Sequence, residues 1–334
     1  MALLAKIRTR AARANTSGLR LGIGDDCAVL RIHAGEELAV TTDLSIAGVH
    51  FRLDWHTPEE IGHRTLIRGL SDLAAMGARP VAAFLSLGLP RDLVQSPNRR
   101  EPPWVERFLD GFFALAEAYG VPLAGGDLAE SATPVADIVL TGAVRRGRSL
   151  LRSGARPGDR LYVSGDLGGG VAGLTRVAQL AAAARLSRTA ESEPLCTRGK
   201  LEPLLQRYLY PKPRVSLGLW LARHSVATAA IDLSDGLSTD LAHLCEESGV
   251  AAEVDAAALP IHPDADLEQA LHGGDDYELL FTASPSARVP LRVAGVPITC
   301  IGRILRRSRN RPLVTLIRAG SALPLAPGGW QHFS

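Results

Sequence analysis

The chain has 334 residues, a hydrophobic content of 46% and a formal net charge of +2 at pH 7. A charge so close to balance gives no reason to expect nucleic acid as a partner, and no apolar run is long enough to span a membrane. The length suits two domains better than one, and the apolar content is ample for a buried core.

The cysteines and the basic N-terminus bear on where the protein works. The cysteines are scattered without a C-x-x-C pair, which favours reduced, buried thiols over zinc ligands or disulfides. The first acid is Asp25, and a basic, acid-free leader is also typical of transit peptides. We favour an ordinary surface helix over residues 3–14. Because no apolar secretory core is present, we expect a cytoplasmic protein. The cysteines are Cys27, Cys196, Cys245 and Cys300.

In chain order, the first half alternates acidic turns with strands and helices. Gly22 and Gly24 hinge an acidic turn that contains Asp26 and leads into a strand. The strand over residues 38–43 ends on two hydroxyls and a carboxylate, an oxygen-only set that suits a hard cation such as Mg²⁺. Thr57 is the expected cap of the next helix. We further predict helices over residues 58–79 and 104–119, strands over 81–89, 121–127 and 137–144, and a loop over 91–103.

Two residues in this half have competing interpretations. Asp72 lies four residues after Arg68, so it forms either an ion pair on a solvated helix face or part of a metal site. His50 is a lone histidine, which by itself is more typical of a structural role than of a binding role.

A polar, basic and glycine-rich stretch over residues 145–159 indicates a domain junction. We therefore divide the chain into an N-terminal domain, residues 1–147, and a C-terminal domain, residues 148–334. The second half opens with a predicted strand over residues 161–164 and a helix over residues 171–184.

Between that strand and helix, Gly168, Gly170 and Gly173 fit the G-x-G-x-x-G pattern. A dinucleotide site also needs an acid at the end of a second strand about twenty residues on. The segment there, residues 187–193, is polar and unstructured in character, so we reject that site but retain an anion-binding helix start. Residues 181–202 are predicted to be an insertion or a loose helix. The P-loop motif is absent.

Residues 230–240 predict a short strand, a tight acidic turn and a helix. Asp232 and Asp235 on this turn either converge on one cation or include a cap for the helix that starts near Leu237. A further acidic turn contains Asp275. Near the end of the chain, the aromatic segment with Trp330 either packs on the core or closes over a ligand.

Six aspartates from distant parts of the sequence lie on or near turns at strand ends, except for one that lies on a helix. If these carboxylates face one cleft, their mutual repulsion raises their pKa values. Divalent cations remove that cost, and Mg²⁺ is typically shared between a few carboxylates and substrate phosphates. The pattern therefore indicates phosphate chemistry. The carboxylates are those of Asp26, Asp43, Asp72, Asp127, Asp232 and Asp235.

These motifs resemble the thiamine-monophosphate kinase family, within the superfamily of aminoimidazole ribonucleotide synthetase and selenophosphate synthetase. They occur in the family's order and span most of the chain. The helix motif with Ala-Met-Gly-Ala separates the thiamine kinases from their relatives. The matching pieces are residues 22–26, 41–43, 48–51, 70–78, 125–127, 152–154, 231–237 and 273–279.

The resemblance implies ATP-dependent phosphorylation of thiamine monophosphate to thiamine diphosphate. It implies an α/β fold whose N-terminal domain dimerises through its sheet, with ATP near the dimer interface and the cleft between domains. The implied Mg²⁺ ligands are Asp26, Thr41, Thr42, Asp43, Asp72, Asp127, Asp232 and Asp235. The implied ATP contacts are Gly126, Asp127, Arg152, Ser234 and Tyr119, with Asp235, Asp127 and Arg152 as the catalytic set. The implied thiamine contacts are His50, Asp275 and Trp330.

This sequence departs from the family pattern at two places. Asp275 stands where the family usually has Glu, which shortens that side chain by one methylene. Residues 128–130 replace the usual Thr and small polar residues after Gly-Gly-Asp.

The implied acceptor is a phosphate monoester with a second pKa of about 6, so it needs no general base. Transfer is then direct and in line. Two other functions stay open: a superfamily enzyme acting on a carboxamide, amide or selenide, and a non-catalytic protein that binds nucleotide or metal. His50, Asp275 and Trp330 favour the thiamine kinase.

Overall fold

The computed structural model describes residues 2–12, 18–96, 101–186 and 201–331. The chain divides into two compact units, each with its own β-sheet and helices, so the predicted two-domain α/β fold is confirmed. Among the described residues, no helix combines the length and the apolarity that a membrane span requires. The first unit comprises Met1–Leu73, Arg79–Arg146 and Val177–Leu201, and the second comprises Ala74–Ala78, Gly147–Arg176 and Glu202–Ser334.

The first part of the chain builds a five-stranded sheet. The elements are α1 (Ala2–Ala11), β1 (Leu19–Leu21), β2 (Val29–Leu30), β3 (Glu36–Ile46), α2 (Pro58–Ala75), β4 (Arg79–Leu89), α3 (Arg91–Val94), α4 (Trp104–Ala118), β5 (Leu123–Gly125), β6 (Leu128–Glu130) and β7 (Val135–Arg145). The strand order is β3-β7-β4-β5, and β6 also pairs with β4. Strand β7 is antiparallel to β3 and β4, whereas β5 and β6 run parallel to β4.

Helix α2 begins with a capping box, which confirms Thr57 as its cap. The N–H of Glu60 donates to Thr57 Oγ1 at 3.3 Å, and the N–H of Thr57 donates to Glu60 Oε2 at 2.8 Å. The helix ends at Ala75 and not at the predicted Arg79. Gly77 has a φ of +64°, a left-handed conformation that ends the helix and turns the chain into β4.

Helices α2 and α4 cross at two glycines. A Cβ atom on Gly62 would overlap the carbonyl oxygen of Phe108, and a Cβ atom on Gly111 would overlap that of Glu59. The two backbones therefore meet without an intervening layer of side chains. This close crossing fixes the position of α2, which carries Asp72.

The second part of the chain builds an eight-stranded sheet. Its elements are β8 (Arg160–Ser164), α5 (Gly169–Leu186), α6 (Pro203–Leu209), α7 (Val215–His224), β9 (Ala227–Leu233), α8 (Leu237–Ser248), β10 (Val250–Asp255), a 3₁₀ helix (Ala256–Ala258), α9 (Leu267–His272), β11 (Glu278–Ala283), β12 (Arg292–Val293), β13 (Val296–Arg306), β14 (Val314–Arg318) and β15 (Ser321–Pro324). The order is β15-β14-β10-β13-β8-β11-β9, with β12 beside β13. Buried residues of α8, such as Leu241, join those of the strands in one core.

Several predicted boundaries are wrong. The predicted loop over residues 91–103 contains helix α3. The predicted strand over residues 121–127 shortens to β5, because Pro122 has no N–H to donate and Gly126 has a φ of +144°. Of the three cysteines in the described residues, Cys245 is buried as predicted, whereas Cys27 and Cys300 are exposed. Cys196 and residues 187–200 of the predicted insertion lie outside the described residues, and residues 181–186 continue α5.

Candidate active site

A cavity of about 550 Å³ lies within the first unit. Residues 22–28 and 123–128 line it, so the structure brings Asp26, Gly126 and Asp127 to one hollow. Leu85 and Leu109 contribute an apolar wall, and both aspartates are exposed. An apolar hollow with a few polar groups at its edge is the usual form of a small-molecule site.

The two loops at this cavity depend on glycine. Gly126 has a φ of +144°, and a Cβ atom there would overlap the carbonyl oxygen of Leu85. The sharp turn directs Asp127 away from β5, and its Oδ1 accepts the N–H of Leu128 at 2.8 Å. The loop that carries Asp26 is covered by the guanidinium of Arg8, which occupies the space beside Gly24. Both aspartates are therefore placed by backbone turns that no other residue type fits easily.

A second group of predicted residues lies where β3 meets α2. Thr41 Oγ1 donates to the carboxylate of Asp72, and Arg68 Nε donates to Asp43 Oδ1 at 2.9 Å. Thr41 and Asp43 lie on one face of β3 because strand residues alternate between faces. Thr42 lies on the opposite face, where its Oγ1 donates to an oxygen of Asp137 at 3.2 Å.

His50 and Tyr119 occupy separate places in the first unit. His50 Nδ1 accepts the N–H of Ile46 at 3.1 Å, and the ring lines a small hollow together with Arg64 and Arg68. Arg68 thereby joins the surroundings of His50 to Asp43. Tyr119 is half-buried at the C-terminal end of α4 and does not line the cavity of Asp26 and Asp127.

In the second unit, the acidic turn between β9 and α8 has the predicted strand–turn–helix form. Asp232 is buried at the end of β9, and Ser234 and Asp235 follow it. The N-cap residue of α8 is Gly236, with a φ of +113°. Because glycine has no side chain, the N-cap position supplies no side-chain hydrogen bond to the helix. The competing interpretation, in which a turn aspartate caps α8, is therefore wrong.

Asp240, in the first turn of α8, stabilises this turn in place of a cap. Its Oδ2 accepts the N–H groups of Asp235 and Gly236, both at 3.1 Å. Burial raises the pKa of Asp240 well above its ordinary value, and the charges of Asp232 and Asp235 raise it further. Asp240 is the last residue of the predicted strand–turn–helix segment, and no role was predicted for it. The available signal was an acid one helical turn after an Asp-Gly turn.

The turn that contains Asp275 packs against the turn of Asp235. The N–H of Asp275 donates to the carbonyl oxygen of Ser234 at 2.9 Å. Asp275 has a φ of +64°, and its Oδ1 accepts the hydroxyl of Tyr277 at 2.8 Å. The shorter side chain at this position is thus held by a neighbour two residues away.

The aromatic segment near residue 330 also reaches this turn. The N–H of Trp330 donates to the carbonyl oxygen of Asp235 at 3.1 Å, and Trp330 as a whole residue is 49% exposed. The main chain therefore docks on the turn while about half of the residue's surface faces solvent. Asp232, Ser234, Asp235, Asp275 and Trp330 all belong to one neighbourhood of the second unit.

Arg152 lies beside β9 in an exposed segment. The carbonyl oxygen of its neighbour Leu151 accepts the N–H of Ala230 at 2.8 Å, and its own carbonyl oxygen accepts the hydroxyl of Ser248 at 2.8 Å. The backbone next to Arg152 is therefore fixed against Ala230, which lies two residues before Asp232 on β9. Arg152 itself is exposed.

The glycine-rich start of α5 already holds an anion from the protein itself. The N–H groups of Gly168 and Gly170 donate to the carboxylate of Asp276 at 2.7 and 2.9 Å. Burial raises the pKa of Asp276 to about 7, although Arg207 acts to lower it. The helix start therefore binds a carboxyl group, as the hypothesis of an anion-binding helix start predicted, but that group is the protein's own Asp276.

The donor groups are chemically suited to Mg²⁺, which prefers hard oxygen ligands and keeps several waters and substrate oxygens in its shell. Carboxylates and hydroxyls make up the predicted set, without sulfur or imidazole. Within the described ranges, no three His, Cys, Asp or Glu side chains form a group that could hold a metal ion unaided. A cation here would therefore complete its shell with water and phosphate oxygens.

Comparison with known proteins assigns the family. The model for "AIR synthase related protein, N-terminal domain" matches residues 24–144, and that for the corresponding C-terminal domain matches residues 156–294. A thiamine-monophosphate kinase of Salmonella typhimurium is 38% identical over 334 residues, covering 96% of this chain and 94% of the relative. The chain belongs to the thiamine-monophosphate kinase family. This confirms the resemblance inferred from the motifs.

Solved structures agree. A thiamine-monophosphate kinase from Stenotrophomonas maltophilia is 39% identical, with a TM-score of 0.77 and 97% of each chain covered. The structure of AaThiL complexed with AMPPCP and TMP is 31% identical, with a TM-score of 0.72 and coverage of 98% of this chain and 96% of that one. These two solved structures therefore share the fold of this chain over nearly their whole length.

Proposed function

We propose that the protein transfers the γ-phosphoryl group of ATP to thiamine monophosphate, which yields thiamine diphosphate and ADP. One observation carries this proposal beyond family membership. The turn of Asp235 contacts both the turn of Asp275 and the backbone of Trp330. The candidate phosphate-site acid thus adjoins two candidate thiamine contacts.

The candidate nucleotide contacts form a separate group in each unit. In the first unit, the hollow of Asp26, Gly126 and Asp127 offers backbone turns and carboxylates beside an apolar wall. In the second unit, Ser234 lies next to Asp235, and Arg152 extends a cationic side chain that suits nucleotide phosphates. Because Arg152 is exposed, its guanidinium is free of a packed surrounding and can adjust to the ligand.

Mg²⁺ ions would be held in the first unit by Asp26, Asp127, Asp43 and Asp72 with the hydroxyls of Thr41 and Thr42, and in the second unit by Asp232 and Asp235. When bound, the cation neutralises phosphate oxygens so that two polyanions can approach one another. The buried aspartates near Asp235 repel one another without such a cation, so their arrangement fits a site that is used in the cation-bound state.

The chain's own residues need only bind the two substrates, orient them and exclude water from the site. The acceptor phosphate has a second pKa of about 6 and is mostly dianionic at neutral pH, so it attacks without a general base. Transfer is direct and in line. We therefore expect no phosphorylated protein. Labelled phosphate trapped on the chain after mixing with labelled ATP would contradict a direct transfer.

We also propose a homodimer that forms through the first unit's sheet. Edge strand β3 exposes Leu38, Val40 and Leu44, with exposures of 45%, 61% and 46%. Alternating apolar residues on an uncovered edge strand favour pairing with a second copy. Val40→Glu should shift the dimer towards monomer in analytical ultracentrifugation. A protein that is monomeric without any substitution would refute the dimer.

The reaction itself is tested by incubation of the protein with ATP, Mg²⁺ and thiamine monophosphate, followed by mass detection of thiamine diphosphate. We expect stoichiometric ADP and thiamine diphosphate. ATP-dependent thermal stabilisation without any product would favour a non-catalytic binding protein. ADP formed only when the thiamine compound is replaced by a carboxamide, an amide or selenide would favour another superfamily reaction.

A further inference from the structure

Asp235 is held through its main chain from two directions. Its N–H donates to Asp240 Oδ2 at 3.1 Å, and its carbonyl oxygen accepts the N–H of Trp330 at 3.1 Å. The same carboxylate oxygen of Asp240 also accepts the N–H of Gly236 at 3.1 Å. The backbone on both sides of this candidate magnesium ligand is therefore fixed, by Asp240 in the first turn of α8 and by Trp330 near the end of the chain.

The burial of Asp240 shows that this contact has a cost. The residue is only 3% exposed, and carboxylates are rarely buried so completely without a compensating role. Asp232 and Asp235 lie close enough to oppose its charge. A neutral side chain such as Asn could accept the same N–H groups, so the contact requires an acceptor oxygen at this position and does not require a charge.

The tail segment, which we define as residues 328–330, docks on the same turn through successive N–H groups. Gly328 donates to Ser238 Oγ at 3.2 Å, Gly329 donates to Thr239 Oγ1 at 3.1 Å, and Trp330 donates to Asp235. A Cβ atom on Gly329 would overlap the carbonyl oxygen of Asp235. The segment can approach this closely only because residue 329 has no side chain.

We propose that Asp240 is a positioning residue for phosphoryl transfer, which acts together with the tail segment by fixing the main chain of Asp235. Asp240 does so by accepting two N–H groups, and the tail segment does so by donating to the carbonyl oxygen. Neither touches the reacting phosphates. The inference rests on the proposed kinase activity, since it describes how one ligand of that site is oriented.

The first experiment compares Asp240→Ala with Asp240→Asn in the full-length protein. Asp240→Ala removes the acceptor, and we expect kcat to fall about 10- to 100-fold, as for other groups that orient metal ligands. Asp240→Asn keeps one oxygen that accepts both N–H groups and should restore most of that loss. The Mg²⁺ concentration for half-maximal rate should rise for Asp240→Ala, because a displaced Asp235 binds the cation less well, and should stay near that of the unsubstituted protein for Asp240→Asn.

Asp159→Ala is the matched control. Asp159 is also a buried aspartate of the second unit, and its Oδ2 accepts the N–H of Arg156 at 2.9 Å. Its loss should lower the melting temperature without changing the Mg²⁺ dependence of kcat. If Asp240→Asn is as damaging as Asp240→Ala, Asp240 is a direct ligand or a charge carrier, and the positioning role is overturned. The same holds if Asp240→Ala retains the full kcat.

Gly329→Ala tests the inference without touching the core. The added methyl group should displace the tail segment, lower kcat about 10-fold and raise the KM for thiamine monophosphate. Gly320→Ala is its control, because a Cβ atom there meets open space although φ is +79°. Unchanged kinetics of Gly329→Ala would overturn the part played by the tail segment. If the unsubstituted protein makes no thiamine diphosphate, the proposed function fails first, and that result is distinguishable from either variant outcome.

Discussion

The two units place their candidate magnesium ligands in contrasting surroundings. In the first, Asp26 and Asp127 are exposed at the edge of a cavity. In the second, Asp232 is buried and Asp235 is partly buried, next to the buried positioning residue Asp240. An exposed carboxylate keeps its charge in water, whereas a buried one needs N–H groups or a cation to compensate it. The second group therefore depends more strongly on its neighbours and on a bound cation.

The largest expected effect is on turnover. Asp235→Asn should lower kcat roughly 100-fold or more, because it removes charge from a preorganised site, while the melting temperature changes little. Its counterpart in the first unit, Asp26→Asn, should cost about 10-fold, since water can replace an exposed ligand. Rates measured across Mg²⁺ concentrations compare the two. An unchanged rate of Asp235→Asn at saturating Mg²⁺ would remove Asp235 from the ligand set.

The next effect is on stability in the second unit. Glu278 is fully buried and accepts from Arg214 Nε at 2.7 Å and from Arg207 at 3.1 Å. Arg214→Ala should lower the free energy of unfolding by about 3–5 kcal/mol, because it leaves a buried charge short of a partner. Urea denaturation measures this loss. A decrease below about 1 kcal/mol would show that Arg207 alone compensates Glu278.

The third effect depends on pH. Asp276 has a pKa of about 7 in the folded protein, above the ordinary value, so its contribution to stability is present at low pH and is lost as pH rises through 7. Between pH 5 and 8 the loss should be about 2 to 3 kcal/mol. Asp276→Asn cannot ionise and should flatten this part of the profile. Equal slopes for the two proteins would place the titration elsewhere.

The smallest effect is expected for an exposed ion pair of the first unit. Arg91 and Glu130 are 3.0 Å apart, with side-chain exposures of 72% and 65%. Arg91→Ala should change the free energy of unfolding by less than about 1 kcal/mol. The same denaturation series therefore contrasts this pair with Arg214 and Glu278. A loss as large as that of Arg214→Ala would mean that solvent exposure does not explain the difference in stability between the two ion pairs.

Local patterns were enough to predict many of the elements that carry the site. The acidic turn after β9 was predicted with its flanking strand and helix, because glycine and helical spacing are signals within a few residues. The motifs also led to the correct family. The orientation of Thr42 follows from strand alternation alone, yet its position next to Thr41 and Asp43 had suggested a shared site.

Other features depend on residues that are far apart in sequence. Arg214 and Glu278 are separated by 64 positions, and no local pattern indicates that one compensates the other. Asp276 fills the helix start at Gly168 and Gly170 from a distance of more than a hundred positions. Strands β12 to β15 were not predicted, although β13 has 11 residues, because this part of the chain contains no acidic turn. Long-range compensation of charge is what the sequence alone did not disclose.

The crossing of α2 and α4 has a consequence for how this fold can vary. Gly62 and Gly111 face the carbonyl oxygens of Phe108 and Glu59, so neither position has room for even a methyl group. A larger residue at one position cannot be offset by a smaller one at the other, since glycine is already the smallest. In a library that samples all residues at positions 62 and 111, selection for growth should therefore retain glycine at each position independently. Positions on the exposed surfaces of the two helices should tolerate other residues.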